Sequence, residues 1–369
     1  MNSIRLFLPF VSSAAFACCA AGQVCSTGAD GPLVVGGNTT LTLPADGVFN
    51  FTTITIGPGA ALRFTENAAN TPVYLLATGA VQIDGAIQVS AFGATRGTGG
   101  GDGGLNGVGF QAGTDGGGPS PGRGGSAAER PGNAGGGGGM ATAGLRAIRW
   151  TGASPADGGP AIPFPEPITG GSGGGGGSGW VLFGVNLNGG VGGGGGGGVH
   201  ICSSGTITIG GSVLANGGGG GTAFANAFGH GGPGGGGSGG VVDLIADRIV
   251  IGQDATIQCN GQPGGGISTM PVWDPNFPSG ATGGQGYIRL RAHSISNDGT
   301  LQGVVIGADL CPGDLDNDGD VDIGDLSLLL SHYGEAAGAK FDEGDTDCDG
   351  DIDLADLATV LSRFGSHCD

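Results

Sequence analysis

Long runs of glycine constrain the fold of this chain more than any other feature. Glycine supplies 91 of the 369 residues, about three times its ordinary share, in runs such as GGSGGGGGSGW and GGVGGGGGGG. Because glycine adds no side chain to a core and loses the most entropy on ordering, such runs predict flexible linkers. The alternative is that they pack side by side as extended strands. No strict Gly-X-Y period is present, so a collagen triple helix is excluded.

Short pairs of strands recur between the glycine runs. They read ITIGPGAALRF from 54, VQIDGAIQV from 81, ITIGGSVLA from 207, IVIGQDATIQC from 249 and ISNDGTLQG from 295. Alternating aliphatic residues bounded by Gly, Asn and Asp indicate strands, and units this short must stack to bury an apolar face. We therefore expect a mainly β body over residues 23–308, a parallel β-helix or β-solenoid with insertions near 92–198, 216–240 and 260–286. A β-sandwich is the alternative.

The repeats also predict which side chains face the core. The expected inward residues are Ile54, Ile56, Val81, Ile83, Ile207, Ile209, Ile249 and Ile251. We expect the turn glycines Gly85 and Gly211 to adopt positive φ, which only glycine adopts without strain.

The negative charge of the chain is concentrated at its C-terminal end. Of the formal net charge of −19, residues 309–369 carry 17 acids against Lys340 and Arg363, and the preceding part is nearly balanced. With 12 basic residues and no basic cluster, the chain lacks the electrostatic footprint of a nucleic-acid-binding protein.

The N-terminus indicates export. A single arginine precedes an apolar run from Leu6 to Ala17 and then small residues, which predicts a signal peptide over residues 1–22 rather than a transmembrane helix; a lipoprotein site at Cys18 is the alternative. We therefore expect a secreted, extracellular or cell-surface protein with no transmembrane segment after cleavage.

Cleavage leaves six cysteines, an even number that favours disulfides in an exported chain. They are Cys25, Cys202, Cys259, Cys311, Cys348 and Cys368. Fifteen connectivities are open, and the best-motivated bond joins Cys311 to Cys368, because they flank the acidic end.

Two acidic segments, GDLDNDGDVDIGDL and GDTDCDGDIDLADL, lie 31 residues apart. Each matches the calcium loop in which oxygens are needed at positions 1, 3, 5, 7, 9 and 12 with glycine at position 6. The matching residues are Asp314, Asp316, Asp318, Asp320, Asp322 and Asp325 in the first loop, and Asp345, Asp347, Asp349, Asp351, Asp353 and Asp356 in the second. Six carboxylates in one loop repel one another unless a divalent cation neutralises them, so we expect about two Ca²⁺ ions.

Each loop continues into a segment with apolar residues at helical spacing. These are Leu326, Leu329, Leu330 and Tyr333 in the first copy and Leu357, Val360, Leu361 and Phe364 in the second, and each helix is expected to stop at a glycine, Gly334 or Gly365. At position 8, Val321 and Ile352 are expected to pair the two loops by a short β contact.

With these loops and helices, residues 314–369 resemble a type I dockerin. The resemblance implies a small α-helical, EF-hand-like domain over 309–369 that docks onto a protein partner, either a cohesin-like domain or a cell-surface protein. In that family recognition depends on loop positions 10 and 11, which are Ile323 and Gly324 in one copy and Leu354 and Ala355 in the other. The body resembles, more loosely, the glycine-rich β-helical regions of bacterial secreted and surface proteins.

The body shows no catalytic signature. Polysaccharide lyases and glycoside hydrolases need clustered carboxylates, and the acids on or near strands are Asp84, Asp243, Asp247, Asp254 and Asp298, for which turn or edge roles are expected. His200, His230 and His293 have no partner in any catalytic motif, and Trp150, Trp180 and Trp273 are expected to anchor glycine-rich loops, with stacking on a polysaccharide as the alternative.

The sequence therefore predicts a secreted, non-enzymatic, calcium-binding protein with a dockerin-like docking tail. Two alternatives stay open. One is a polysaccharide lyase or glycoside hydrolase that carries a dockerin. The other is an adhesin in which the tail only caps the solenoid.

Overall fold

The computed structural model describes residues 25–127, 132–147, 156–226, 229–267, 279–292, 294–309, 313–316, 318, 320–335, 339, 343–346 and 351–367. The chain divides into two compact units between residues 310 and 311, and each is described by itself. The described part is mainly β, with 30% strand and 7% helix. The predicted signal peptide, the Cys311–Cys368 bond, Cys348, His293, Trp150 and Trp273 lie outside the described residues.

The described residues of the first unit form twenty strands. They are β1 (Leu33–Val35), β2 (Thr39–Thr42), β3 (Val48–Phe51), β4 (Ile54–Ile56), β5 (Ala61–Thr65), β6 (Val73–Ala77), β7 (Val81–Ile83), β8 (Ala86–Gln88), β9 (Trp180–Leu182), β10 (Val185–Leu187), β11 (Gly198–Ile209), β12 (Ser212–Leu214), β13 (Ala225–Asn226), β14 (Gly229–His230), β15 (Val241–Ile251), β16 (Thr256–Gln258), β17 (Tyr287–Ala292), β18 (Ser294–Asn297), β19 (Thr300–Gln302) and β20 (Val304–Asp309).

The two large sheets are parallel and connect each repeat to the next. In the ten-stranded sheet, one row of strands is β3, β6, β11, β15, β17 and β20, and a second row is β1, β4, β7, β11, β15 and β18. Strands β2, β5, β8, β12, β16 and β19 form the six-stranded sheet. Within the described part of the chain neither sheet closes on itself. Repeats that pair in parallel are expected where short units stack to share a core.

The main core lies between these sheets, and the predicted inward residues are correct. All eight are at most 1% exposed and belong to one cluster with Leu62, Leu75 and Leu244. The prediction for Gly85 and Gly211 is wrong, because neither has a positive φ. They are glycines because a Cβ would lie 2.3 Å from the Ala60 carbonyl oxygen in one case and 1.9 Å from that of Gly85 in the other.

The glycine runs are ordered segments that bond to one another through their backbones. The segment 173–178 makes this clearest, because its N–H groups reach three neighbours in turn. Gly173 and Gly176 donate to the segment around 114–117, Gly174 and Gly177 to 190–193, and Gly175 and Ser178 to 133–136. A three-residue period is that of a polyproline II helix.

The carbonyl groups of the same segment complete its surroundings. They accept N–H groups from three further segments, 104–107, 122–125 and 232–235. Segment 173–178 therefore has six neighbours and is buried. Of the two interpretations of the glycine runs, the structure has the packed one. We call the described residues of these runs the glycine bundle (residues 97–127, 132–144, 170–179, 189–198, 217–226, 229–240, 261–267 and 279–286).

Apolar residues anchor the edges of the glycine bundle. Trp180 is 6% exposed and lies so close to Gly229 that a Cβ there would clash with its ring. Met140 and Ile168 are buried with Val241 and Tyr287 of the ten-stranded sheet. The anchoring role predicted for Trp180 therefore agrees with its place in the structure.

The described cysteines form one disulfide, Cys25–Cys202, across a sequence separation of 177. Cys259 is a buried free thiol, and burial raises its pKa.

The second unit contains two helices, α1 (Ile323–His332) and α2 (Leu354–Arg363). No described helix has the length and apolar character needed to cross a membrane. Both helices end where predicted, since Gly334 and Gly365 have φ of +93° and +84°. The core of this unit contains Leu315, Val321, Leu329, Ile352 and Val360.

Candidate metal centre

The first acidic loop ends at the N-terminus of α1, and all six of its predicted ligand residues are described. Three of them, Asp314, Asp316 and Asp325, come together, with one carboxylate oxygen from each lying within 4.8 Å of the others. Asp318, Asp320 and Asp322 lie between them in sequence and are not part of that group. Carboxylate oxygens grouped in this way could hold a metal ion.

The second acidic loop, before α2, also brings three aspartates together, but only the one at position 12 corresponds to a member of the first group. Asp351, Asp353 and Asp356 offer oxygens within 4.8 Å of one another, and Asp345 is 2% exposed. Asp347 and Asp349, at the predicted positions 3 and 5, lie outside the described residues.

The aspartates at position 12 close the two loops. Asp325 is fully buried, and its oxygens accept the backbone N–H groups of Leu315 (2.5 Å) and Asp322 (2.7 Å). Asp322 in turn caps α1 by accepting from Gly324 (2.6 Å), which completes a capping box.

Asp356 does the same work in the second copy. It is fully buried and accepts from the backbone of Thr346 (2.6 Å) and Asp353 (2.8 Å). The shorter Asp, in place of the Glu of ordinary EF-hands, fits this position because both of its oxygens reach backbone donors on either side of the loop.

The first loop concentrates negative charge with little positive charge near it. Desolvation, followed by the charges of Asp318 and Asp325, raises the pKa of Asp316. Desolvation and then the charges of Asp318 and Asp322 raise that of Asp320. A divalent cation held between these carboxylates would relieve the repulsion.

Position 8 of each loop is fixed by the segment that follows the opposite helix. The Val321 carbonyl accepts the N–H of Gly365 (2.7 Å), which follows α2, and the Ile352 carbonyl accepts that of Gly334 (2.8 Å), which follows α1. The predicted β contact between Val321 and Ile352 is therefore wrong, because each of them bonds to the segment after the opposite helix. Both side chains are fully buried in the core of the unit, so the reciprocal contacts join one repeat to the other.

Three apolar side chains of each helical repeat remain exposed, at equivalent positions 31 residues apart. They are Ile323 (63%), Leu330 (53%) and Tyr333 (46%) in the first repeat, and Leu354 (67%), Leu361 (53%) and Phe364 (48%) in the second. We call these the paired apolar faces. Of the residues predicted at helical spacing, Leu329 and Val360 are buried, and Leu326 and Leu357 pack against the core of the unit.

Of the five acids considered for catalysis in the body, four lie in turns or are exposed. Asp84 accepts a hydrogen bond from Gln82 (2.6 Å) in a turn, Asp298 follows β18, and Asp247 and Asp254 are exposed. Among the described contacts no two of these five acids meet. The turn or edge role expected for Asp243 is wrong, because it is fully buried in β15, a strand that is paired on both sides.

Sequence reasoning also missed the partner of Asp243. His200 Nδ1 lies 2.7 Å from Asp243 Oδ2, although the two residues are 43 positions apart. The parallel register of β11 and β15 brings them together. The only signal in the sequence was that the segments before two of the repeats, VHICSSG from 199 and VVDLIAD from 241, align with each other.

The chain was compared with protein-family models, curated proteins and solved structures, and none of them matches it.

Proposed function

We propose that residues 309–369 form a calcium-binding, dockerin-like module that docks a secreted, non-enzymatic protein onto a partner. The observation that carries the proposal is that the same loop and helix arrangement occurs twice. Each copy has an aspartate cluster, a buried aspartate at position 12 that closes the loop, and an aspartate at position 9 that caps the helix. Each copy also exposes apolar side chains at the same positions.

The proposed ligands of the two ions are the twelve predicted aspartates. Asp314, Asp316 and Asp325 supply side-chain ligands in the first loop, and Asp353 and Asp356 do so in the second. Asp320 and Asp351, at position 7, contribute their backbone oxygens. Calcium takes six to eight oxygens at flexible geometry, which a loop of alternating aspartates can provide. Binding would offset the repulsion that raises the pKa of Asp316 and Asp320.

The paired apolar faces are the proposed docking surface. Ile323 and Leu354 occupy position 10, where a dockerin identifies its partner, and each is more than 60% exposed. An exposed apolar patch framed by polar residues is typical of a protein-binding site. We propose a cohesin-like or cell-surface protein as the partner, with apolar side chains opposite these faces.

For the body we propose a β-solenoid that displays the glycine bundle outside the cell. The parallel, in-register pairing of successive repeats supports a solenoid over a sandwich, whose sheets are antiparallel. The Cys25–Cys202 disulfide supports an oxidising compartment, in agreement with the predicted signal peptide.

Calcium titration of the full chain by isothermal calorimetry tests the metal proposal. We expect about two ions per chain. Asp314→Asn and Asp345→Asn, which alter position 1 of each loop, should each lower the stoichiometry to about one. Asp254→Asn, an exposed acid of the body, is the matched control. Absence of calcium binding, or binding that neither loop variant changes, would refute the proposal.

Calcium-dependent capture of a partner tests the docking role. The full chain is used as bait with extracellular and cell-surface proteins, in calcium and in chelator. We expect a partner that is retained only in calcium and is lost when Leu330 and Leu361 are both changed to Ser. Leu145→Ser, at an exposed leucine of the body, should retain it. Failure to capture any protein would favour a capping role for the tail.

A further inference from the structure

Four polar side chains of neighbouring repeats lie in one row across the ten-stranded sheet. Tyr74 of β6 is in register with His200 of β11, His200 with Asp243 of β15, and Asp243 with Arg289 of β17. The residues on either side of each along its strand belong to the main core. The row therefore lies on the opposite face of the sheet from that core.

Asp243 lies at the centre of this row, and both oxygens of its carboxylate have hydrogen-bond donors beside them. Its Oδ1 accepts from Arg289 Nε (2.8 Å), and its Oδ2 contacts His200 Nδ1 (2.7 Å), Arg289 Nη2 (2.9 Å) and Arg291 Nη2 (3.2 Å). Burial alone would raise the pKa of this carboxyl, but the hydrogen bonds from Arg289 and His200 and the nearby charges outweigh it, and the pKa is lowered.

An ionised carboxylate can only accept hydrogen bonds, which fixes the tautomer of His200. Its Nδ1 carries the proton that Asp243 accepts, so Nε2 is an acceptor in the tautomer that this contact selects. Within the described residues this Nε2 has no hydrogen-bond partner, and the remaining contact of the ring is with Tyr74, 5.5 Å between centroids. The His200 side chain is 12% exposed, so one edge of it reaches solvent.

Arg291 offers an unused donor beside the same carboxylate oxygen. Its Nε is buried and has no hydrogen-bond partner among the described residues, although the side chain as a whole is 22% exposed. Buried donors without partners are rare in folded proteins and call for a physical explanation. A ligand oxygen at this point would supply the missing acceptor.

The charge around the row also favours an anion. Two guanidinium groups, of Arg289 and Arg291, face one buried carboxylate, that of Asp243. Glu166 pairs with Arg289, but its side chain is 62% exposed and its charge is screened by solvent. A positive charge is therefore in excess in the buried part of the cluster.

The chain segment that packs on this face of the sheet contacts Arg289 and Tyr287. Phe164 lies over the Arg289 guanidinium, 3.9 Å from its carbon to the ring centroid. The Tyr287 hydroxyl donates to the Ile162 carbonyl (2.6 Å). Arg289 is covered by Phe164 and bonded to Asp243 and Glu166. Arg291 and His200 are the groups of the cluster with unused hydrogen-bonding capacity among the described residues.

We propose that Arg291 and His200 bind an oxyanion that also carries a hydroxyl group, such as a sugar acid or hydrogen phosphate. The anionic oxygens accept from the Arg291 guanidinium, and the hydroxyl donates to His200 Nε2. Asp243 is a positioning residue, because it orients both groups without contacting the ligand. The site lies in the body and does not depend on the calcium-binding tail.

Titration of the full chain with three small molecules tests the proposal. Inorganic phosphate and galacturonate are the two anions, and galactose is the neutral control that keeps the hydroxyls of the sugar. Binding is followed by calorimetry and by the ¹⁵N signals of the imidazole ring of His200, assigned with a His200→Gln variant. We expect at least one anion to bind and to shift those signals, and galactose to leave them unchanged.

The variants separate a binding site from a structural ion pair. Arg291→Gln should weaken anion binding by about tenfold to a hundredfold, the loss that follows from removing a hydrogen bond to a charged group. His200→Gln should weaken it by about twofold to tenfold, because the bond that it removes joins neutral groups. Arg248→Gln, at an exposed arginine of β15, should bind as the wild type does. If Arg291→Gln fails to fold, Arg291→Lys keeps the charge but removes Nε, and it should still weaken binding.

Each outcome decides the proposal. Binding of phosphate alone assigns the site to inorganic anions, and binding of galacturonate alone assigns it to sugar acids; both support it. Equal shifts with galactose, no shift with either anion, or binding that the Arg291 and His200 variants leave unchanged would overturn it.

Discussion

Replacement of one buried glycine by alanine tests whether the glycine bundle is a packed structure. A Cβ on Gly177 would lie 1.8 Å from the Gly232 carbonyl oxygen, whereas real Cβ atoms stay beyond 3.0 Å. The two segments must separate to accept it. The matched control is Gly219→Ala, in another glycine run, where the nearest atom is the Pro263 carbonyl oxygen at 3.8 Å.

The magnitude follows from the contacts that Gly177→Ala disturbs. Overpacking costs about 1–3 kcal/mol. The N–H of Gly177 donates to Gly190, and that of Gly232 donates to Ser178, both at 2.8 Å; a buried donor left unpaired costs about 1–3 kcal/mol. With one of these donors left unpaired, we expect a loss of about 2–6 kcal/mol in the free energy of unfolding. Gly219→Ala should be neutral or stabilise by up to about 1 kcal/mol, since alanine restricts the unfolded chain.

The assay is urea unfolding of the full chain in constant calcium, followed by tryptophan fluorescence. Trp180 is 6% exposed and packs on Gly229 of the bundle, so it reports on the region that the substitution disturbs. Hydrogen exchange of peptides from 170–198 gives a second readout. If both variants unfold within about 0.5 kcal/mol of wild type and the glycine amides exchange freely, the packed bundle is refuted.

Three further predictions concern the body of the protein. Asp243→Asn removes the buried carboxylate that Arg289 and Arg291 share and should lower the free energy of unfolding by about 3–5 kcal/mol; a loss below about 1 kcal/mol in urea unfolding would contradict this. Because the pKa of Asp243 is lowered on folding, its contribution is complete above the unfolded value of about 3.9 and is lost as the pH falls below it. The difference between wild type and Asp243→Asn should therefore shrink by about 1.4 kcal/mol per pH unit there, and a constant difference would contradict this. Reduction of Cys25–Cys202, which closes a long loop, should cost about 2–5 kcal/mol; the melting temperature should fall on adding a reductant, and a Cys25→Ser, Cys202→Ser double variant should not respond.

The strands and their inward residues could be predicted because their signal is local. Alternation places Ile54 and Ile56 on one face whatever the rest of the chain does, and both are fully buried. The turn glycines show the limit of that reasoning. Gly85 is required by the approach of the Ala60 carbonyl oxygen in the preceding repeat, a distance that local sequence does not contain.

The grouping of some aspartates within each acidic loop was predictable from their spacing, but the contacts between the loops were not. The spacing of the aspartates fixes which of them share a loop, so Asp314 and Asp325 could be placed together in advance. The pairing of Val321 with the segment after α2 depends on how the two repeats pack. The cluster around Asp243 was missed for a similar reason, since its members come from three repeats and meet only through the strand register.

The order of the glycine bundle is best explained by the sheets that it adjoins. Glycine buries no side chain, so hydrophobic burial contributes little to its packing, and ordering each residue costs entropy. Its N–H groups nonetheless find acceptors in a regular pattern where the runs rejoin the strands. Gly197 donates to Val89, Gly240 to Ala215, and Gly286 to Cys259, and each acceptor comes directly after a strand of the six-stranded sheet.

These contacts set the spacing of the first glycine segments, because successive strands of a sheet lie a fixed distance apart. Segments held side by side in this way can form hydrogen bonds with one another, because the strands have already aligned them and little further entropy is lost. The apolar anchors at the far edges, such as Trp180, then fix their other ends. It follows that the bundle should not form in a peptide that contains only the glycine runs. Destabilising the strands that adjoin the bundle should increase hydrogen exchange of its amides throughout.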